Sequence, residues 1–240
     1  MTELSRAEEK YGKEYFDLGI GSNYRCGAKF DKGTQALLKH RLEILKKHVS
    51  YPLNQIKILD IGCAKGFFLS LCDQEGWQTY GVDISSYALS FTPQYTKANL
   101  LKLDVSRERF PFADNFFEAV VFFDVIEHLD KDEFFLNEIR RVLKDKGTFM
   151  LVTPDGKSRW DKDITHINIY QKKDLISRLE RFGFEVLYTE EERGYSVRII
   201  PLRRFKLLNF LNQRVCDSLG CYLKGLILAG KINKKLISKQ

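Results

Sequence analysis

The order of patterns along the 240-residue chain predicts an α/β fold, a parallel sheet covered by helices on both faces. Strand-like and helix-like segments alternate through most of the chain. The strands are nearly continuous apolar runs, as in "IKILDI" and "FEAVVFF". Acids and glycines stand just past several strands, where an open α/β sheet binds its ligands.

Each element follows from local pattern. Residues 5–16 mix charges with Tyr11, Tyr15 and Phe16 and suit a short helix, and "LGIGSNYRCGAKFDKG" reads as loop. Leu37, Leu38, Leu42 and Leu45 repeat at helical spacing within Thr34–His48, and Pro52 closes that segment. The strand "IKILDI" leads through a glycine turn into the helix "FFLSLCDQEG". A strand in "WQTYGVDIS" ends near Asp83, and Ser85 can cap the helix after it. "NLLKLDV" is a strand ending at Asp104. "FFEAVVFFDVIEHL" begins as a strand and breaks at Asp124. There follow the amphipathic helix "KDEFFLNEIRRVLKDKG", the strand "TFMLVTP", the helix "QKKDLISRLERFG" and the strand "FEVLYTEEE". Tyr195–Pro201 is the expected position of one more strand.

Composition narrows the class. A hydrophobic fraction of 44% supports a real core. The five cysteines are odd in number and include no CxxC, so neither a disulfide framework nor a metal site is expected. The start lacks an apolar signal core, and Leu219–Gly230, the nearest approach to a membrane span, is short and carries Lys224. These features fit a cytoplasmic protein with reduced thiols. The net charge is +7, and the segment from Arg193 onward holds 11 of the 39 basic residues against one acid, Asp217.

The turn after the first strand spells D-x-G-x-A-x-G, from Asp60 to Gly66. A dinucleotide fingerprint would be G-x-G-x-x-G. A pyrophosphate is held by helix amides and repelled by a neighbouring carboxylate, so Asp60 argues against one. A carboxylate there suits a cationic group such as an ammonium. Asp83, at the next strand end, can accept bonds from ribose hydroxyls, and Asp104, at the third, from an adenine amino group. S-adenosyl-L-methionine offers all three without a phosphate.

With these residues in place the chain resembles the class I S-adenosylmethionine-dependent methyltransferases, in the small-molecule group that includes ubiquinone-biosynthesis-type enzymes. "ILDIGCAKGFFL" is similar to the family's first motif, "YGVDIS" to the second, and "KLDVSRERFPFADNFFEAVVFFDVIEHL" to the run through the fourth strand. The resemblance implies a Rossmann-like three-layer sandwich of seven strands, the last antiparallel. It divides the chain into an N-terminal helical lid (1–50), a methyltransferase domain (51–200) and a basic C-terminal helical extension (201–240). The cofactor set it implies is Asp60, Gly62, Cys63, Ala64, Gly66, Phe67, Asp83, Ile84, Asp104, Val105, Phe123, Asp124, Val125 and His128, with Tyr24 from the lid meeting the methionine carboxylate. Ala64 departs from the family's usual glycine and is expected to hold a negative φ.

Transfer of an activated methyl requires alignment, exclusion of water and loss of the acceptor's proton. His166, in the loop after the fifth strand, is the first candidate for the base, because imidazole titrates near neutral pH. The expected acceptor is a small molecule or a lipid- or saccharide-linked group. RNA- or protein-directed methylation, or a non-catalytic cofactor-binding partner subunit, are the alternatives. The tail "PLRRFKLLNFLNQRVCDSLGCYLKGLILAGKINKK" joins basic and apolar residues. As amphipathic helix, with Phe205, Leu208, Phe210 and Leu211 on one face and Leu223, Leu226, Ile227 and Leu228 extending it, the tail suits an anionic membrane surface. Packing on its own domain or on a second copy is the other reading, so monomer and homodimer both stand. Nucleic acid is not the expected partner, because no RNA-binding module accompanies the charge.

Overall fold

The computed structural model describes residues 10–18, 30–156, 164–193 and 224–234. Its sheet has seven strands: β1 (Lys57–Ile61), β2 (Gln78–Asp83), β3 (Asn99–Lys102), β4 (Phe117–Phe123), β5 (Leu143–Pro154), β6 (Phe184–Arg193) and β7 (Lys224–Ile232). Their order is β3-β2-β1-β4-β5-β7-β6. The first five pair in parallel, and β7 runs antiparallel to both β5 and β6.

Side-chain alternation sorts the core into two layers. On one face Leu59, Ile61, Val120, Phe122, Phe149, Leu151, Leu226 and Leu228 pack with helices α4 (Asp132–Val142) and α5 (Lys172–Arg181). On the other, Ile58, Ala119, Val121, Met150, Val152, Ile227 and Ala229 pack with α1 (Lys32–His48) and α2 (Phe67–Gln74). The short α3 (Ser86–Leu89) follows β2, and the Ser85 side chain caps it by accepting from the Ala88 N–H at 3.0 Å. Asp31 does the same for α1, accepting from the Thr34 N–H at 2.9 Å.

Strand β7 corrects one expectation. The sequence places residues 224–232 within a basic helical extension (201–240), but they form an interior strand of the sheet. Leu226, Ile227, Leu228 and Ala229 are fully or almost fully buried. A strand covered on both faces is apolar at successive positions, so its sequence has no alternation to distinguish it from a buried helix. Gly230 is required here, because a Cβ at that position would lie 1.9 Å from the Glu185 carbonyl oxygen. Tyr195–Pro201 and residues 201–223, with Phe205, Leu208, Phe210, Leu211 and Leu223 among them, lie outside the described residues.

Candidate active site

The strand order reverses between β1 and β4, whose carboxyl ends carry the turn 62–66 and the segment 124–128. A crevice at such a point is where doubly wound sheets bind ligands. Its two sides touch closely: a Cβ on Gly62, whose φ is +73°, would lie 2.5 Å from the Val125 Cγ2.

The turn's amides are engaged within the chain. The N–H groups of Gly62 and Cys63 donate to the Val82 carbonyl at 2.8 and 3.1 Å, and that of Gly66 donates to the Cys63 carbonyl at 2.8 Å. The Ala64 N–H donates to Asp83 Oδ2 at 2.8 Å. These donors therefore form no open nest for a phosphate. Ala64 itself has φ +47°, against the negative value expected of it. A left-handed conformation costs a non-glycine residue about 1–2 kcal/mol. The peptide is held there from both sides, since the Thr92 hydroxyl also donates to the Ala64 carbonyl at 3.0 Å.

The acids at the strand ends differ in environment. Burial pushes the Asp60 carboxyl well above the usual carboxylate range; the charge of Asp83 adds to this, and Arg41 of α1 opposes it. Asp83 is also raised by burial, against the lowering effect of N–H donors from Ser85, Ala64 and Ile84. Its Oδ2 accepts from the Ala64 N–H and its Oδ1 from the Ser85 N–H, both at 2.8 Å. Asp104 turns one oxygen to the Ser106 N–H at 3.0 Å and to the Ser106 hydroxyl at 2.5 Å, so it also orders the turn after β3. Burial raises the Cys63 thiol well above its ordinary value, with Asp83 and Asp60 adding to the effect.

Among the apolar candidates, Phe67 stacks on Phe30 with centroids 4.8 Å apart and meets Tyr95 edge-on at 4.9 Å, so its contacts are with neighbouring aromatics. Phe123 lies under the Arg41 guanidinium at 4.8 Å. Val105 packs against the core, Ile84 is half-buried, and Asp124 is exposed with φ +53°. Tyr24 lies outside the described residues.

The N-terminal segment crosses the crevice. The Tyr11 carbonyl accepts from the Ser85 hydroxyl at 2.6 Å on the β2 side, and its ring meets His128 edge-on at 5.8 Å on the β4 side. Asp17 accepts from Lys65 Nζ at 2.9 Å and from the Tyr87 hydroxyl. The hydrogen bond from Tyr87, with Lys65 beside it, holds the Asp17 carboxyl below its usual range.

Beyond β4 the structure gathers Glu127, His128 and His166, whose potential ligand atoms all lie within 4.8 Å of one another. The Glu127 side chain is fully buried and that of His166 is 4% exposed. The rings of His128 and His166 meet at 4.7 Å. The backbone N–H groups of Ile167 and Asn168 both donate to the Glu127 carbonyl at 2.9 Å, which fixes the His166 loop against the β4 end. His166 and His128 are candidates from the sequence alone; Glu127 and Arg41 are not, and "IEH" and "THI" are the sequence signals that point to the cluster.

Sheet order, crevice and strand-end acids define an α/β methyltransferase of the S-adenosylmethionine-dependent class. A family model described as a methyltransferase domain matches residues 30–189, and the chain belongs to that family. An uncharacterised protein of Methanocaldococcus jannaschii is 35% identical over 148 residues, covering 60% of this chain and 59% of that protein. The ubiquinone biosynthesis O-methyltransferase of Pelagibacter ubique is 25% identical over 164 residues, covering 57% of this chain and 68% of that protein. The match thus leaves about a third or more of each relative's length uncovered. In fold, the chain is similar to a SAM-dependent methyltransferase from Archaeoglobus fulgidus, with TM-score 0.60, 22% identity and coverage of 82% of this chain and 94% of that one. It is likewise similar to a geranyl diphosphate methyltransferase, with TM-score 0.61, 16% identity and coverage of 84% and 82%. The cofactor is S-adenosylmethionine.

Proposed function

We propose that this methyltransferase acts on a hydroxyl of a small molecule or of a lipid- or saccharide-linked acceptor. The observation that carries the reading is the Glu127–His128–His166 cluster beyond β4, in which the Glu127 and His166 side chains are buried. A hydroxyl gives up its proton as it takes the methyl, and a buried imidazole beside a carboxylate promotes that loss. The crossing of the crevice by residues 10–18 favours a slender acceptor over a duplex or a folded protein. The Pelagibacter relative, an O-methyltransferase by name, agrees with an oxygen acceptor. In this reading Asp60 faces the cationic methionine end, Asp83 the ribose and Asp104 the adenine, with Gly62 and Gly66 letting the cofactor approach the backbone. His166, backed by Glu127, is the simplest agent of proton removal.

Incubation with methyl-labelled S-adenosylmethionine and fractionated cell extract tests it. Label should enter the small-molecule or lipid fraction, and much less of it with His166→Ala. Label confined to RNA or protein, or stoichiometric cofactor binding without transfer to any fraction, would overturn the reading.

A further inference from the structure

The same three side chains have the geometry of a cation site. The His166 Nε2 stands 3.9 Å from the Glu127 Oε1. That is too long for a hydrogen bond between them. Two atoms bound to one ion at about 2.0–2.1 Å stand roughly 3.3 Å apart in a tetrahedron and about 4.2 Å apart at most. The 3.9 Å separation falls inside that range, and the other pairs, all within 4.8 Å, are brought into it by small side-chain rotations.

The surroundings orient the donors. The His128 Nδ1 lies 3.1 Å from the Thr165 carbonyl oxygen. The Thr165 hydroxyl stands beside the same nitrogen at 2.9 Å; in the tautomer that donates from Nδ1 to these oxygens, Nε2 carries the lone pair that a cation would take. The Thr153 hydroxyl donates to Glu127 Oε2 at 3.1 Å, which sets the carboxylate so that Oε1 is the oxygen nearer His166. Such outer partners are what hold metal-binding imidazoles and carboxylates in place. Burying a carboxylate beside two rings is costly, and a dication in their midst offsets that cost.

We infer that Glu127, His128 and His166 form a binding site for a first-row divalent transition cation of the Zn2+ type, with coordination positions left over for an acceptor oxygen. Two imidazoles and one carboxylate favour such a metal over Mg2+ or Ca2+, which take oxygen donors. The cysteine pattern gave no hint of it, because the ligands come from the β4 end and from the loop after β5. The consequence for catalysis rests on the proposed hydroxyl acceptor: a hydroxyl bound to such an ion would give its proton to solvent more readily, and His166 would then hold the ion instead of taking that proton. Binding of the ion does not depend on that reading.

The test uses the full chain after treatment with chelator. Zn2+ is titrated by calorimetry and Co2+ by visible absorption, each with wild type, Glu127→Gln, His128→Ala and His166→Gln. The expected result is one saturable site, weakened at least about tenfold by each substitution, with d–d bands for Co2+, no thiolate-to-metal band and much weaker Mg2+ uptake. Circular dichroism of the same samples confirms that each variant is folded, and S-adenosylmethionine titrated into them reads the cofactor site separately. Absent Zn2+ uptake, uptake unchanged by the substitutions, thiolate bands or a preference for Mg2+ would overturn the cation site and leave the methyltransferase reading intact.

Discussion

The His166 Nε2 faces the Glu127 Oε1 across 3.9 Å, both side chains buried beyond the end of β4. In the proposed function this pairing marks the acceptor end of the site. With His166→Ala, cofactor affinity should stay near wild type while turnover falls by about 10²–10⁴-fold. Calorimetry and a methyl-transfer assay read the two separately. Near-normal turnover would remove His166 from the mechanism.

Asp60, placed at the cofactor in the proposed function, should make binding depend on pH. Burial raises its carboxyl, with Asp83 adding and Arg41 opposing. The folded state therefore takes up this proton at higher pH than the unfolded chain. This group's contribution favours folding increasingly as pH falls from the raised value toward the ordinary one. A cationic ligand end prefers the carboxylate, so affinity for S-adenosylmethionine should fall with pH through the same window, with proton release on binding. Asp60→Asn should weaken binding and flatten that dependence. Calorimetry in buffers of different ionisation enthalpy measures both.

Ala64 stores local strain at φ +47°. Ala64→Gly relieves a left-handed cost of about 1–2 kcal/mol but adds freedom to the unfolded chain, so a net gain of about 0.5–1 kcal/mol is expected. Chemical denaturation without cofactor checks the sign; a clear loss of stability would contradict it.

Arg141 ties α4 to the approach to β4. It donates to both Glu138 oxygens at 2.8 and 2.7 Å, to Asp114 at 2.8 Å, and to the Phe110 and Phe112 carbonyls at 2.8 and 2.7 Å. Hydrogen bonding from Arg141 is the largest cause holding the Glu138 carboxyl below its ordinary range. Its stabilisation is present above the ordinary glutamate pKa and is lost as pH falls through the depressed value. Arg141→Ala should cost about 3 kcal/mol near neutral pH, and less in acid. Arg141→Lys should rescue only part, lacking the planar fork. Denaturant melts at two pH values decide.

Gly230 tests the corrected topology. The backbone of Glu185 occupies the space a Cβ there would need. Gly230→Ala should therefore part β6 from β7 and cost more than about 2 kcal/mol, seen in thermal melts and in faster amide exchange along β6. An unperturbed variant would contradict the placement of β7.

The parallel strands were legible because burial on both faces writes them as apolar runs, each closed by an acid or glycine, as at Asp60, Asp83 and Asp104. The same uniformity concealed β7, since "GLILAG" fits strand and buried helix alike. The cofactor turn was legible as a motif, but the φ of Ala64 depends on the clamp from Asp83 and Thr92, which only the fold supplies. Glu127 and His166 are brought together by the whole of α4 and β5, so no local pattern joins them. Arg41 lies on the buried side of α1 beside Phe123 and carries no motif at all.

A crystal structure with S-adenosylmethionine bound tests the central claim most directly. The account predicts the cofactor in the crevice between β1 and β4, its adenosine along Asp83 and Asp104, and its methyl directed at Glu127, His128 and His166. A cofactor bound elsewhere, or a methyl directed away from that cluster, would contradict it.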